Sequence, residues 1–399
     1  MTPTLLMVAM VLLLLLLRQP LIVILLAVCA FVQYVWGKGQ FDYIIEDMWV
    51  GLDKELILSI PLFILCGNVM TQGSTAKRLI DIMAAITRPL PGGLAVSAIL
   101  SCGIFAAISG SSIVTMLAIG TVMYPAMRAG GYDNKFSLGT IMSGGTLGII
   151  IPPSIPMIIY GLVTEASVTD LFLAGVGPGI LILVVFSIYA VWFNRKMPSQ
   201  KFSMTEFTTA CRKGVWAVMM PVILLGGIYS GFFTATEAAA VALLYAIIIE
   251  TFVHNEMKLK DFYNVVLDAS KLGGSLFPVL AVALSLNIIL IEHRVPAALV
   301  QYMQGYISSP LMFMLLVKLL LLGVGCLMTT GEAILILAPL LAPMAESYGY
   351  NKIVFGIIMI LNLEIGYLTP PVGLNLIVAM SRSSSRSGCS SRQRSRSSR

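Results

Sequence analysis

Two short polar runs interrupt long apolar stretches of this 399-residue chain. They are Ser109, Gly110, Ser111 and Ser112, and then Met328, Thr329, Thr330 and Gly331. Hydroxyl and backbone carbonyl oxygens are hard, neutral ligands that suit an alkali cation, which takes about five or six of them. Each run is therefore a candidate sodium site within an apolar region.

A double proline follows each polar run. The residues around the two breaks are Gly148, Pro152 and Pro153, and then Gly366, Thr369, Pro370 and Pro371. Proline lacks an amide hydrogen and clashes with the preceding turn, so two in succession unwind a helix and free its carbonyls. Unpaired backbone at membrane depth is tolerated only where it is buried in protein or lines a polar cavity. We predict that polar runs and breaks together form two sodium sites, one in each half.

The same elements offer a place for a substrate carboxylate. Helix N-termini carry partial positive charge, and we predict such ends after Pro153, after Pro371 and at the polar runs. Asn375 is a candidate donor to the substrate, with an interhelical hydrogen bond as an equal alternative. The competing interpretation is that Ser, Thr and Gly serve only close helix packing, but it does not explain the adjacent prolines.

Three ionisable residues lie in apolar surroundings, where a charge is usually paired or functional. Glu237 follows Thr234 at the start of an apolar stretch and is predicted to cap a helix. Glu364 precedes the second double proline and is either a coupling group or a structurally paired acid, of which we favour the second. Lys318 is predicted to snorkel or to pair.

Composition requires that these residues sit in a membrane. The chain is 58% hydrophobic and 11% charged, with a mean hydropathy of +0.93, and apolar stretches of about 20 residues recur along it. The net charge of +6 matches six arginines near the C-terminus, so it does not indicate nucleic acid binding. With two histidines and no HExxH, CxxC, Walker or GxSxG motif, we predict no cofactor, no transition metal and no enzymatic activity.

An internal register supports a duplicated architecture. Shifting the chain by 218 residues places Ser111 on Thr329, Pro125 on Pro343 and Pro152 on Pro370. Duplicated halves of secondary transporters commonly have inverted topology, with the site where the repeats meet. We predict an all-α polytopic membrane protein of the elevator type, built from two repeats that we expect to be inverted. Each repeat contains a re-entrant hairpin and a broken helix.

The predicted boundaries follow the apolar stretches and the breaks. The first repeat is 1–193, with its hairpin at about 93–128 and its broken helix at about 137–163. A basic linker, 194–213, is placed in the cytoplasm by the positive-inside rule. The second repeat is 214–380, with its hairpin at about 311–345 and its broken helix at about 353–380.

The last 19 residues, 381–399, form a Ser/Arg tail that is expected to be disordered. The apolar span Pro178 to Phe193 has no counterpart after the second broken helix. A shifted reading frame or an artificial end explains both features, and a genuine basic tail is the alternative.

Several segments together resemble the large permease subunit of tripartite ATP-independent periplasmic (TRAP) transporters. They lie at 107–127, 145–161, 175–181, 231–246 and 360–378, and the resemblance extends to about Met380. It implies a sodium-driven symporter for an organic acid in the bacterial inner membrane. It also implies a small membrane subunit and a periplasmic substrate-binding protein as partners. Members continue into a further membrane helix, where this chain has its tail.

Three alternatives remain beside the hypothesis of a TRAP transporter subunit. One is a stand-alone sodium- or proton-coupled carboxylate carrier. Another is a proton-conducting subunit or intramembrane enzyme using Glu332, Glu364 and Lys318. The third is a non-functional truncated product.

Overall fold

The protein is an all-α membrane protein, as predicted. The computed structural model describes residues 2–17, 19–37 and 39–369, and these residues form helices and no strand. Seven helices within the described ranges are long and apolar enough to cross a membrane. An eighth crossing results if Val295–Tyr306 and Pro310–Gly325, bent by 118°, form one span. Pro370, Pro371, Asn375 and the Ser/Arg tail lie outside the described residues.

Among the described residues, the first half of the chain contains ten α-helices. The N-terminal ones are α1 (Thr2–Leu16), α2 (Leu21–Val35), α3 (Asp42–Leu52), α4 (Ser59–Gln72) and α5 (Thr75–Thr87), with a 3₁₀ turn, Glu55–Leu58, before α4. They are followed by α6 (Gly93–Ser109), α7 (Ser112–Ala129), α8 (Asn134–Ile150), α9 (Ile155–Thr164) and α10 (Val168–Phe193). The interruptions after α6 and α8 therefore fall at the first polar run and at the first double proline.

The described part of the second half contains seven α-helices. Its helices are α11 (Met204–Tyr229), α12 (Ala235–Ile248), α13 (Leu259–Glu292), α14 (Val295–Tyr306), α15 (Pro310–Gly325), α16 (Thr330–Ser347) and α17 (Lys352–Tyr367). A π-helical turn, Ile249–Val253, extends α12. The second polar run lies between α15 and α16.

Several helices are longer than hydropathy predicts. α11 begins at Met204, inside the predicted linker 194–213, where the Ser203 hydroxyl accepts from the Glu206 amide at 3.4 Å. The linker therefore ends about ten residues earlier than predicted. α10 begins at Val168 and continues through Pro178. Hydropathy marks only the apolar part of a helix, whereas backbone hydrogen bonding continues into the flanking polar residues and past a tolerated proline.

Two sets of helices pack closely among themselves, and α5, α10 and α11 pack beside them. α8 packs against both helices of the first hairpin, α6 and α7, and α17 packs in the same way against α15 and α16. Contacts of α9 with α16 and of α8 with α17 connect the two halves of the chain. In the other set, α13 packs against α2, α3 and α4, and α12 packs against α4.

α15 and α17 cross with their backbones in contact. A Cβ atom added at Gly325 would lie 2.5 Å from the carbonyl oxygen of Leu363, and one added at Gly366 would lie 2.8 Å from the Gly325 backbone. Small residues allow such close approach between membrane helices. The crossing brings the start of α16 close to α17.

The buried Glu250 carboxylate connects the start of α5 to the end of α12 through hydrogen bonds. Glu250, in the π-helical turn and fully buried, accepts from the amides of Ser74 and Thr75, each at 3.2 Å, and from the Thr75 hydroxyl. His254 Nδ1 lies 3.2 Å from the same carboxylate. Glu250 thus caps the N-terminus of α5 from another helix, since an acid stabilises the unpaired amides there. A Cβ at Gly73 would lie 2.2 Å from the carboxylate carbon.

Candidate functional site

The first hairpin tip is the turn between α6 and α7. Gly110 ends α6 with φ 59°, a left-handed conformation that glycine adopts without strain. Its carbonyl accepts from the amide of Ile155, the first residue of α9, at 3.2 Å. The hydroxyls of Ser109 and Thr115 are 2.6 Å apart within the turn. The tip is therefore held by its own hydroxyls and by the helix break beside it.

The break between α8 and α9 lies against this tip. A Cβ at Gly148 would be 2.5 Å from the Ser111 carbonyl oxygen, so glycine is needed for the approach. Because Pro152 and Pro153 have no amide hydrogen, the carbonyls of Gly148 and Ile149 lose their usual helical donors. The Ser154 hydroxyl donates to the Ile149 carbonyl at 2.6 Å and so replaces one of these donors.

The second hairpin tip is the turn between α15 and α16. Thr329 caps α16: its hydroxyl accepts from the Glu332 amide at 3.4 Å, while the Glu332 carboxylate accepts from the Thr329 amide at 3.1 Å. This reciprocal capping box fixes where the helix begins. Thr330 is consequently the first residue of α16, in the position that Ser112 holds in α7.

One buried carboxylate joins the two tips. Glu364 on α17 is 2% exposed. One of its oxygens accepts from the Ser112 hydroxyl at 2.8 Å, and the other accepts from the Thr330 hydroxyl at 3.3 Å. Both donors are the first residues of their helices, whose N-termini carry partial positive charge. Glu364 therefore lies between two helix N-termini contributed by different halves of the chain.

Both tips and this carboxylate line a single cavity of about 160 Å³. From the tips it is lined by Gly110, Ser111, Ser112, Thr329, Thr330 and Gly331. The rest of the lining comes from Ile113, Ile149, Ile155, Pro156, Ile159, Leu276, Glu364 and Tyr367. The cavity thus combines hydroxyls and helix N-termini with one acid and an apolar wall.

The predicted residues take different positions around the cavity. Ser109 is buried behind the first tip, and Gly148 and Gly366 allow the helices to approach. The Thr369 hydroxyl, just past the end of α17, donates to the Ile365 carbonyl at 2.7 Å, and Thr369 does not line the cavity. Pro370, Pro371 and Asn375, also predicted for the site, are outside the described residues.

Sequence reasoning placed Glu364 near the site but did not include it among the binding residues. The signal was present: an acid in an apolar stretch, just before the second predicted break. Leu276 comes from α13, and Tyr367 follows Gly366. Neither carries a pattern that would have marked it.

The other ionisable residues have structural roles or lie away from the cavity. Glu237 completes a capping box with Thr234, as predicted, and accepts from the Thr234 amide at 2.8 Å. Glu332 caps α16, and Lys318 is exposed on α15. No group of three or more His, Cys, Asp or Glu residues that would suit a metal ion occurs in the part of the chain that the structure describes.

Comparisons with known proteins agree on the family. Residues 8–385 match the model of the tripartite ATP-independent periplasmic transporter, DctM component. The chain is 43% identical over 325 residues to the C4-dicarboxylate TRAP transporter large permease protein DctM of Pseudomonas aeruginosa, covering 81% of this chain and 76% of that protein.

Other matches show the range of relatives. The isethionate TRAP transporter permease protein DctMQ of Oleidesulfovibrio alaskensis is 38% identical over 347 residues, which is 86% of this chain and 55% of that protein. Among solved structures, the YdaH transporter of Alcanivorax borkumensis has a similar fold. Its TM-score is 0.63 at 12% identity, over 95% of this chain and 90% of that one.

The relatives are named as transporter permeases, in agreement with the prediction that the chain is not an enzyme. Their named substrates differ, so similarity alone does not assign one here. The chain belongs to the DctM component family of tripartite ATP-independent periplasmic transporters and is a multi-pass membrane subunit of such a transporter.

Proposed function

We propose that this chain is the large permease subunit of a secondary transporter that takes up an organic acid with sodium ions. C4-dicarboxylates, sialic acids and similar compounds are the substrate class. The observation that carries the proposal is the Glu364 carboxylate between the tip residues Ser112 and Thr330. A cavity that contains this acid and several hydroxyls suits a hard cation.

The same carboxylate provides a physical basis for coupling. A substrate carboxylate about 6 Å from Glu364 would be repelled by roughly 3 kcal/mol at an effective dielectric constant near 20, which lowers affinity about a hundredfold. A sodium ion beside Glu364 cancels this repulsion and leaves the N-termini of α7 and α16 to hold the substrate. By linkage, the substrate strengthens sodium binding by the same factor.

Transport requires that the loaded site change sides. In the proposed movement, the hairpins and broken helices move as one unit against α2, α3, α4, α12 and α13. The close packing within each of the two sets described above supports this division. Sodium reduces the buried negative charge of the loaded moving unit, whereas substrate without sodium would leave two carboxylates buried together.

Two partners and a location complete the proposal. The family is described as tripartite, so we propose a small membrane subunit and a periplasmic substrate-binding protein as the other components. A relative named DctMQ supports a close association between two membrane parts. The chain is then placed in the bacterial inner membrane, with the basic residues near Arg195 and Lys196 on the cytoplasmic side.

The test is uptake into proteoliposomes that contain this chain and its two partner proteins. Radiolabelled succinate, isethionate and sialic acid are offered with and without an inward sodium gradient. Sodium-dependent uptake that also requires the binding protein supports the proposal. Uptake that ignores both sodium and the binding protein rejects it in favour of a stand-alone carrier.

A further inference from the structure

A second cavity, of about 620 Å³, lies on the same helices as the central one. It is called the vestibule here and is lined by parts of α3, α9, α13, α14, α16 and α17. α9, α13, α16 and α17 each line the vestibule with one segment and the central cavity with another. These four helices therefore connect the two cavities.

The spacing along these helices gives the separation. On α16, Gly331 lines the central cavity and Pro339 lines the vestibule; on α13, the corresponding residues are Leu276 and Leu284. Each pair is eight residues apart, or about 12 Å along a helix. Along α16 the vestibule therefore lies a little over two helical turns from the hairpin tip, and along α9 the two linings come closer, at Ile159 and Leu162.

The vestibule opens on the face opposite the basic linker. Thr164 and Glu165 line it, and α10 begins directly after them at Val168. α10 then runs for 26 residues, about 39 Å and enough to cross a bilayer, and ends at Phe193 before the linker. With the linker in the cytoplasm, the vestibule faces the periplasm.

The residues that line the vestibule carry more positive than negative charge. Lys54, Arg294 and Lys352 line it, together with one acid, Glu165. Lys352 donates to the Thr164 carbonyl at 3.0 Å and lies 3.7 Å from Glu346. Neither Lys54 nor Arg294 belongs to any ion pair among the described residues. Two exposed cations are therefore available to an anion that enters.

We propose that the vestibule is an entry site for the organic anion, in which Lys54 and Arg294 hold its carboxylate before the hairpin tips receive it. This proposal rests on the proposed function. The vestibule has room for a small organic acid, and positive charge in a concave site raises the local concentration of anions. The central cavity is smaller and contains Glu364, so an anion reaching it needs sodium, whereas an anion in the vestibule does not.

A labelling experiment tests the vestibule without requiring transport. Arg294→Cys is compared with Lys135→Cys, in which an exposed lysine at the start of α8 is lost and which lines neither cavity. Purified protein in detergent is treated with an anionic and a cationic methanethiosulfonate reagent, and labelling of the parent chain is subtracted. We expect the ratio of anionic to cationic labelling rates to be about fivefold higher at position 294, because Lys54 and Lys352 remain nearby.

Succinate and transport provide the second readout. Sodium succinate should slow anionic labelling at position 294 more than sodium chloride of equal ionic strength does. In proteoliposomes, Lys54→Gln with Arg294→Gln should raise the half-saturating succinate concentration about tenfold at low salt, whereas Lys135→Gln should not.

Equal labelling ratios at positions 294 and 135, or an unchanged half-saturating concentration in the double variant, would overturn the vestibule proposal. If the parent chain shows no sodium-dependent uptake, the proposed function fails, and the labelling ratio still decides the vestibule separately.

Discussion

The crossing of α15 and α17 permits a matched pair of substitutions on one helix. In Gly325→Ala, the new methyl group would lie 2.5 Å from the Leu363 carbonyl oxygen, whereas ordinary contact begins near 3.4 Å. In Gly323→Ala, two residues away on α15, the methyl group meets no atom within 4 Å. Both changes add the same atoms, and only one disturbs the crossing.

The expected free energies follow from this geometry. The neighbour at position 325 is backbone, so α15 and α17 must separate by close to an ångström, and such overpacking typically costs about 1–3 kcal/mol. Alanine in a helix gains up to about 1 kcal/mol over glycine, and because both positions lie in α15 this gain largely cancels between the two variants. We expect the two variants to differ in stability by about 1–3 kcal/mol.

Thermal unfolding of the purified protein, followed by a thiol-reactive dye or intrinsic fluorescence, measures this difference. At roughly 2 °C per kcal/mol for a chain of this size, the midpoint of Gly325→Ala should lie about 2–6 °C below that of Gly323→Ala. Sodium-dependent uptake should fall in Gly325→Ala alone, because separating α15 from α17 moves Thr330 away from Glu364. Equal midpoints and equal uptake in the two variants would refute the backbone crossing.

Three further predictions concern the carboxylates and the first tip. Glu364→Gln should reduce the effect of sodium on substrate affinity from about a hundredfold to below tenfold. The measurement is the half-saturating substrate concentration with and without sodium. Glu46→Gln, which changes an exposed acid, should leave the sodium effect intact. A full sodium effect in Glu364→Gln would contradict the role assigned to that acid. Gly73→Ala should displace the Glu250 carboxylate from the start of α5 and destabilise the protein by about 1–3 kcal/mol. Gly226→Ala, whose methyl group would meet no atom within 4 Å, should not destabilise it. Similar unfolding midpoints for the two variants would count against the Glu250 cap. Gly148→Ala should push α8 from the Ser111 carbonyl and lower uptake more than Gly139→Ala, which has open space, and equal uptake would show that α8 does not need this approach.

Much of the architecture was predictable because it rests on strong local signals. A double proline breaks a helix by covalent and steric rules that neighbouring helices do not change, and hydroxyl residues favour caps and turns because they hydrogen-bond to nearby backbone. The observed ends of α6 and α8, at Ser109 and Ile150, follow those signals. Helix starts such as Met204 were harder, because polar residues are compatible with both a loop and a helix that extends out of the membrane.

The composition of the site was less accessible. Whether Glu364 pairs locally or across the chain depends on how α17 packs between the two hairpins, and one sequence does not encode that packing in any short pattern. The contact with Ser112 joins residues 252 positions apart. Leu276 and the lining of the vestibule likewise depend on where α13 lies. Sequence therefore indicated the tips, and only the fold showed that they share one cavity.

The single carboxylate has a consequence for how such a chain evolves. In the predicted register of 218 residues, position 364 corresponds to Thr146, which is buried and whose hydroxyl donates to the Ser143 carbonyl at 2.6 Å. The two halves are consequently not interchangeable. A protein made from two copies of the first half would have no charge between its tips, and one made from two copies of the second would have two acids facing each other. If the halves arose from one ancestor, they have since become specialised, because only the second half supplies the acid that joins the two tips.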